Sequence, residues 1–129
     1  MDKEFDVVFS NSVIEHVGSF EDQKKMAGEI QRVGKMYFLQ TPCFRFPLEP
    51  HFFTIGFQFL PLKAKAFLIR HFNLGWYPKE RDYKKSINLA SSIRLLRKYE
   101  LKKLFTGGRI IPERFCGLTK SLIVYNNQS

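Results

Sequence analysis

Cysteine is scarce in this chain. Cys43 and Cys116 are the only two in 129 residues, far apart and outside any Cys-x-x-Cys spacing. Two free thiols in a reducing cytosol follow as the simplest reading, and the expected localisation is cytoplasmic. Histidine is scarce too: His16, His51 and His71 lack close ligand spacing, so no metal site is expected. No run reaches the roughly 18 apolar residues that a transmembrane helix requires. The opening MDKEFD is acidic and mixed, unlike a signal peptide. Internal repeats and low-complexity segments are absent. Acidic residues are the minority, 12 against 21 Lys+Arg, for a formal charge of +9 and a pI near 9.7. Such a balance attracts nucleic acid, anionic lipid or acidic small molecules without choosing between them.

What is present is enough apolar sequence (44%) for a core. The length allows one domain at most. Val7, Val8 and Phe9 form a short β-branched and aromatic run, suited to a strand covered on both faces. Ser10, Asn11 and Ser12 follow, where open α/β sheets place their ligands, just past a strand's carboxyl end. Ser19 and Asp22 fit a capping box with Asp in place of Glu. The next helix sets Met26, Ala27, Ile30 and Val33 on one face and Gln23, Lys24, Lys25, Glu29 and Gln31 on the other. Gly34 reads as its C-terminal stop, with Lys35 at the negative end of the dipole. Met36 to Leu39 is a second strand, so residues 5–42 read as strand, helix and adjacent parallel strand.

Residues 43–85 form a Pro-rich, aromatic cap or linker. Lys63 to Phe72 suits a short helix with Ala66, Phe67 and Ile69 on its apolar side. The aromatics have three readings: a cap over a substrate pocket, a membrane-surface patch in which Lys63, Lys65 and Arg70 interleave with Phe59, Phe67 and Phe72, or a stacking platform for single-stranded nucleic acid. Residues 86–129 read as two short helices, with Ile93, Leu96, Leu101 and Leu104 near one face, then a hairpin. Arg94, Arg97, Lys98, Lys102 and Lys103 read as a solvated helix face without a nucleic-acid motif. Pro112 cannot donate to a ladder, which places the first hairpin strand at a sheet edge.

Several segments in order resemble the C-terminal part of class I S-adenosylmethionine-dependent methyltransferases, type 11 group. FDVVFSNSVIEHV resembles the fourth strand and its ligand loop, and EIQRVGKMYFLQTP the next helix end and fifth strand. FPLEPHF with GFQFLP resembles the following linker, and ELKKLF with GLTKSLIVYN the last helix and closing antiparallel pair. The resemblance implies an α/β fold: a partial Rossmann-like sheet, the C-terminal half, with an antiparallel C-terminal strand pair. It implies S-adenosyl-L-methionine as cofactor and methyl transfer to a small-molecule or lipid-like acceptor. The Gly-rich loop after the family's first strand and the ribose-binding carboxylate after its second are missing. The chain is therefore expected to be a fragment, a truncated reading frame or one part of a split protein, inactive in isolation. The rival class is a non-enzymatic basic aromatic module for a membrane surface or nucleic acid.

Under the resemblance, Asn11, Ser12 and Glu15 are the cofactor-binding candidates, Asn11 and Ser12 lining the methionine side partly through backbone. His16 and His51 are the catalytic candidates, because imidazole suits proton transfer near neutral pH. Against these stand a plain polar turn, a Glu15–His16 ion pair or cap, and a structural hydrogen bond at His51, which Pro50 would hold in place. The expected partners are a small-molecule substrate, peripheral membrane contact and self-association through an open sheet edge, with no nucleic acid.

Overall fold

A computed structural model describes residues 2–49 and 51–126. The fold is mixed α/β, with one four-stranded mixed sheet and one two-stranded antiparallel sheet. The chain divides into two compact units, Met1–Arg45 with Arg94–Ser129, and Phe46–Ile93.

The first unit begins with strand β1, Phe5–Asn11, followed by helix α1, Phe20–Val33, and strand β2, Gly34–Pro42. β1 and β2 are parallel, with Val8 beside Tyr37 and Ser10 beside Leu39. The capping box forms as expected: Ser19 Oγ accepts from the Asp22 N–H at 3.3 Å, and Asp22 Oδ2 accepts from the Ser19 N–H at 2.9 Å. Gly34 does not end α1 by left-handed geometry, since its φ is −95°. Glycine is required there by crowding, because a β-carbon would stand 2.7 Å from Val8 Cγ2. Lys35 faces Asp6, with Nζ 2.6 Å from Oδ1, rather than the helix end.

Helix α4, Lys98–Leu104, and the hairpin β5, Arg109–Phe115, and β6, Leu118–Tyr125, complete this unit (α2 and α3, like β3 and β4, belong to the second unit). The sheet order is β1-β2-β6-β5, with β6 antiparallel to both neighbours. Pro112 lies on β5, an edge strand, as its missing donor requires. Cys116 and Gly117 both have positive φ, 51° and 79°, between paired Phe115 and Leu118. That two-residue turn matches the right-handed twist of its strands. One sheet face packs under α1 and α4: Tyr37, Leu39, Leu122 and Val124 meet Ala27, Ile30, Leu101 and Leu104. On the other face β1 is uncovered. Phe5, Val7 and Phe9 are 54%, 55% and 66% exposed, and the Phe9 ring stacks on Phe38 at 5.6 Å. The run of Val7, Val8 and Phe9 suits a strand covered on both faces, but no helix among the described residues packs on that side, the exposure that a partial sheet lacking its covering helices implies.

The second unit holds a short antiparallel pair, β3 Leu48–Glu49 and β4 Thr54–Ile55, then α2 Leu62–His71 and α3 Tyr83–Ser91. Phe52, Phe57, Ile69 and Ala90 form its core. Phe52 meets the Phe57 ring at 4.4 Å and the Tyr77 ring at 4.9 Å. Ala66 and Ile69 are the buried residues of α2, three apart, but Phe67 is exposed. One residue onward turns the side chain about 100° around a helix, off the apolar stripe. Of the two helices expected between 87 and 105, α4 lies in that range while α3 begins earlier, at Tyr83; Ile93 and Leu96 lie between them, Leu96 with Leu101 and Leu104 in the first unit's core and Ile93 packed in the second's.

Candidate functional site

The loop after β1 carries most of the candidates. Ser10 is the buried residue of β1, and its hydroxyl has no hydrogen-bond partner among the described residues. Asn11 and Ser12 are exposed at the strand end. Ser12 has φ 53°, a left-handed conformation uncommon outside glycine, and its N–H donates to the Gln40 carbonyl at 2.9 Å. Its hydroxyl lies 3.4 Å from Asn11 Oδ1. The chain then drops into a single 3-10 turn, Ile14–His16, pinned by fully buried Ile14.

Glu15 is also fully buried. Thr41 Oγ1 donates to its Oε2 at 3.2 Å, and its carbonyl accepts the Arg94 N–H at 2.8 Å. His16 Nε2 stands 3.8 Å from Glu15 Oε1, and the ring is 40% exposed. A fixed carboxylate thus lies beside an accessible imidazole, an arrangement able to orient the ring and balance a proton accepted there.

Behind the loop, Gln23 is saturated. Its Nε2 donates to the carbonyls of Ile14 at 3.1 Å and Arg94 at 2.9 Å, and its Oε1 accepts from Arg94 Nη1 at 3.0 Å. The sequence reading places Gln23 on the polar side of α1 and Arg94 on a solvated face. The structure buries Gln23 and half-buries Arg94. The available signal was spacing: positions 23, 27 and 30 share one helical face. Glu100 completes the network, accepting from Arg94 Nη2 at 2.6 Å and from the Arg97 N–H at 2.9 Å.

His51 belongs to the second unit. Buried Glu49 accepts the N–H groups of His51 at 2.8 Å and Phe52 at 2.6 Å, and its other oxygen is 2.7 Å from His51 Nδ1. That carboxylate orients the ring; Pro50, to which the sequence reading gives this role, lies outside the described residues. Asn11, Ser12, Glu15 and His16 therefore share one loop of the first unit, and His51 has its own carboxylate in the second. His71 is exposed at the end of α2, its ring tilted against Phe67 with centroids 4.3 Å apart. The first unit also has a cleft of about 530 Å³, walled by the start of α4 and the hairpin, which the sequence does not reveal.

Comparison with protein-family models, with curated proteins and with solved structures finds no match to this chain.

Proposed function

We propose that the chain forms the C-terminal part of a class I S-adenosylmethionine-dependent methyltransferase sheet and serves methyl transfer to a small-molecule or lipid-like acceptor. The observation that carries this reading is the strand order β1-β2-β6-β5, a parallel pair followed by an antiparallel hairpin whose first strand is the edge. The resemblance expects that order, and it places the ligand loop where Asn11 and Ser12 stand exposed.

S-adenosylmethionine, when bound, offers a methyl carbon to direct displacement. The residues present fit only one side of it. The exposed turn at Asn11 and Ser12 offers polar groups to the methionine end, but no Gly-rich turn or ribose-binding carboxylate is among the residues of this chain. Asn11 and Ser12 bind and orient, Glu15 holds the His16 ring, and His16 takes the proton of an acceptor that carries one. Positioning supplies most of the catalysis.

Two experiments test the reading. Sequencing the transcript upstream of Met1 should show an in-frame strand, Gly-rich turn and helix, with an acidic residue about 20 positions further on; a stop codon in frame before any such segment would sink it. Calorimetry on the isolated chain should show no useful S-adenosylmethionine binding. A dissociation constant at or below about 10 μM, roughly 7 kcal/mol, would show a complete site in these residues and overturn the partial one.

A second reading rests on the second unit. Phe53, Phe59, Phe67, Phe72 and Trp76 are all more than half exposed, Trp76 at 77%, with Lys63 and Arg70 on the same segment. Aromatics among cations suit the interface of an anionic membrane. No helix among the described residues is long and apolar enough to cross a membrane, so the contact would be peripheral. Trp76 is the only tryptophan. Its emission should shift to the blue on phosphatidylserine vesicles and not on neutral ones; no shift on either removes this reading.

A further inference from the structure

We propose that the cleft of the first unit is a binding site for a small organic phosphate, a ligand with at least two negative charges and an apolar portion. This goes beyond methyl transfer and does not depend on it. The cleft measures about 530 Å³, within the roughly 300–1,000 Å³ usual for small-molecule sites. Three separate segments bring five cations to it: Arg45 after β2, Arg97, Lys98 and Lys102 at α4, and Arg114 on β5. No carboxylate is among its lining residues.

Some cations of the unit have carboxylate partners: Arg32 pairs with Asp2 and Glu29, Lys35 with Asp6, and Arg94 with Glu100. Among the described residues, no side-chain nitrogen of the five cleft cations forms an ion pair within 4.0 Å, although Glu100, outside the cleft lining, accepts the Arg97 backbone N–H at 2.9 Å and feels its charge. Lys98 and Lys102 are also four apart on one helix, a like-charge pair that opposes the helix unless an anion intervenes. Arg97 is held in place, its guanidinium 4.4 Å from the centre of the Phe44 ring. A stacked guanidinium keeps its planar fork for phosphate oxygens.

The lining is not only charged. Cys43 and Leu122 are buried, and Pro112 and Leu118 add apolar surface. Such a floor rewards an apolar body that inorganic phosphate lacks. Tyr99 is the one aromatic side chain lining the cleft. A nucleic-acid strand needs an extended basic track with successive stacking rings, so the concave shape and single ring favour a small ligand.

Calorimetric titration of the full chain with pyrophosphate, inorganic phosphate and phenyl phosphate tests the proposal. Pyrophosphate should bind saturably below about 1 mM, and phenyl phosphate should outbind inorganic phosphate. Lys102→Glu and Arg114→Glu should each weaken pyrophosphate by about tenfold or more, while Lys24→Glu, an equal charge change outside the cleft, should alter it less than about twofold. Lys102 and Arg114 are exposed, and Lys102→Gln gives a milder variant should a reversal disturb folding. No saturable binding up to about 10 mM, or equal weakening by Lys24→Glu, overturns the proposal. So does oligothymidylate binding more tightly than pyrophosphate through the same residues, which would mark a nucleic-acid surface.

Discussion

Gln23 and Arg94 are joined twice: the Gln23 amide donates to the Arg94 carbonyl at 2.9 Å, and the Arg94 guanidinium donates to the Gln23 Oε1 at 3.0 Å. Residues 71 apart in sequence thereby fix the loop after β1 against the segment entering α4. Gln23→Leu keeps the volume and strips every one of these bonds, leaving the Arg94 carbonyl and Nη1 without them while Nη2 keeps Glu100. The expected loss is about 2–4 kcal/mol in urea unfolding. A loss under about 0.5 kcal/mol would mean that the loop is held by other contacts.

Glu100 should make stability depend on acid. Burial pushes its carboxyl up, but the Arg94 hydrogen bond, the Arg97 backbone N–H and both positive charges outweigh this and hold it below the usual glutamate value of 4.5. A carboxyl lowered in the folded state contributes its stability above the unfolded value and loses it as pH falls through the folded one. Melting temperature should therefore fall more steeply below about pH 5 in the native chain than in Glu100→Gln. Parallel curves would show that the Arg94–Glu100 pair contributes nothing across that window.

Two glycines should respond with opposite sign. A β-carbon at Gly34 would meet Val8 Cγ2 at 2.7 Å and the Met36 carbonyl at 2.8 Å, whereas at Gly28, inside α1, it would meet nothing within 4 Å. Gly34→Ala should cost about 1–3 kcal/mol through overpacking between β1 and β2. Gly28→Ala should add about 0.5–1 kcal/mol by lowering the freedom of the unfolded chain. Denaturant midpoints for the two variants should move apart; movement in the same direction would refute the crowding account.

Self-association should run through β1. Among the described residues it pairs only with β2, so its outer row of backbone groups is an open edge. The same strand presents Phe5, Val7 and Phe9 on its uncovered face. Sedimentation at micromolar concentration should show dimers or larger species, and Phe9→Lys should return the chain towards monomer by charging that edge. A native chain that sediments as a monomer and melts in one sharp transition would show the exposed strand to be tolerated.

Local order was legible in the sequence, because it is encoded within a few neighbours. The capping box at Ser19 and Asp22, the parallel βαβ unit, the edge position of Pro112 and the presence of a C-terminal hairpin each follow from periodicity or donor chemistry. The loop bearing Asn11, Ser12, Glu15 and His16 was placed for the same reason. Tertiary structure alone decided which faces are covered. Val7, Val8 and Phe9 read as a run suited to a strand covered on both faces, yet Val7 and Phe9 stand exposed, as a partial sheet lacking its covering helices implies, since hydrophobicity records what a side chain prefers and not whether a neighbour exists to cover it. Gln23 and Arg94 read as surface and became a clasp, since a polar side chain is buried only where distant carbonyls or carboxylates arrive to satisfy it. The convergence of Arg45, Arg97, Lys98, Lys102 and Arg114 is likewise invisible along the chain, because their charges meet only after the hairpin folds back beside α4.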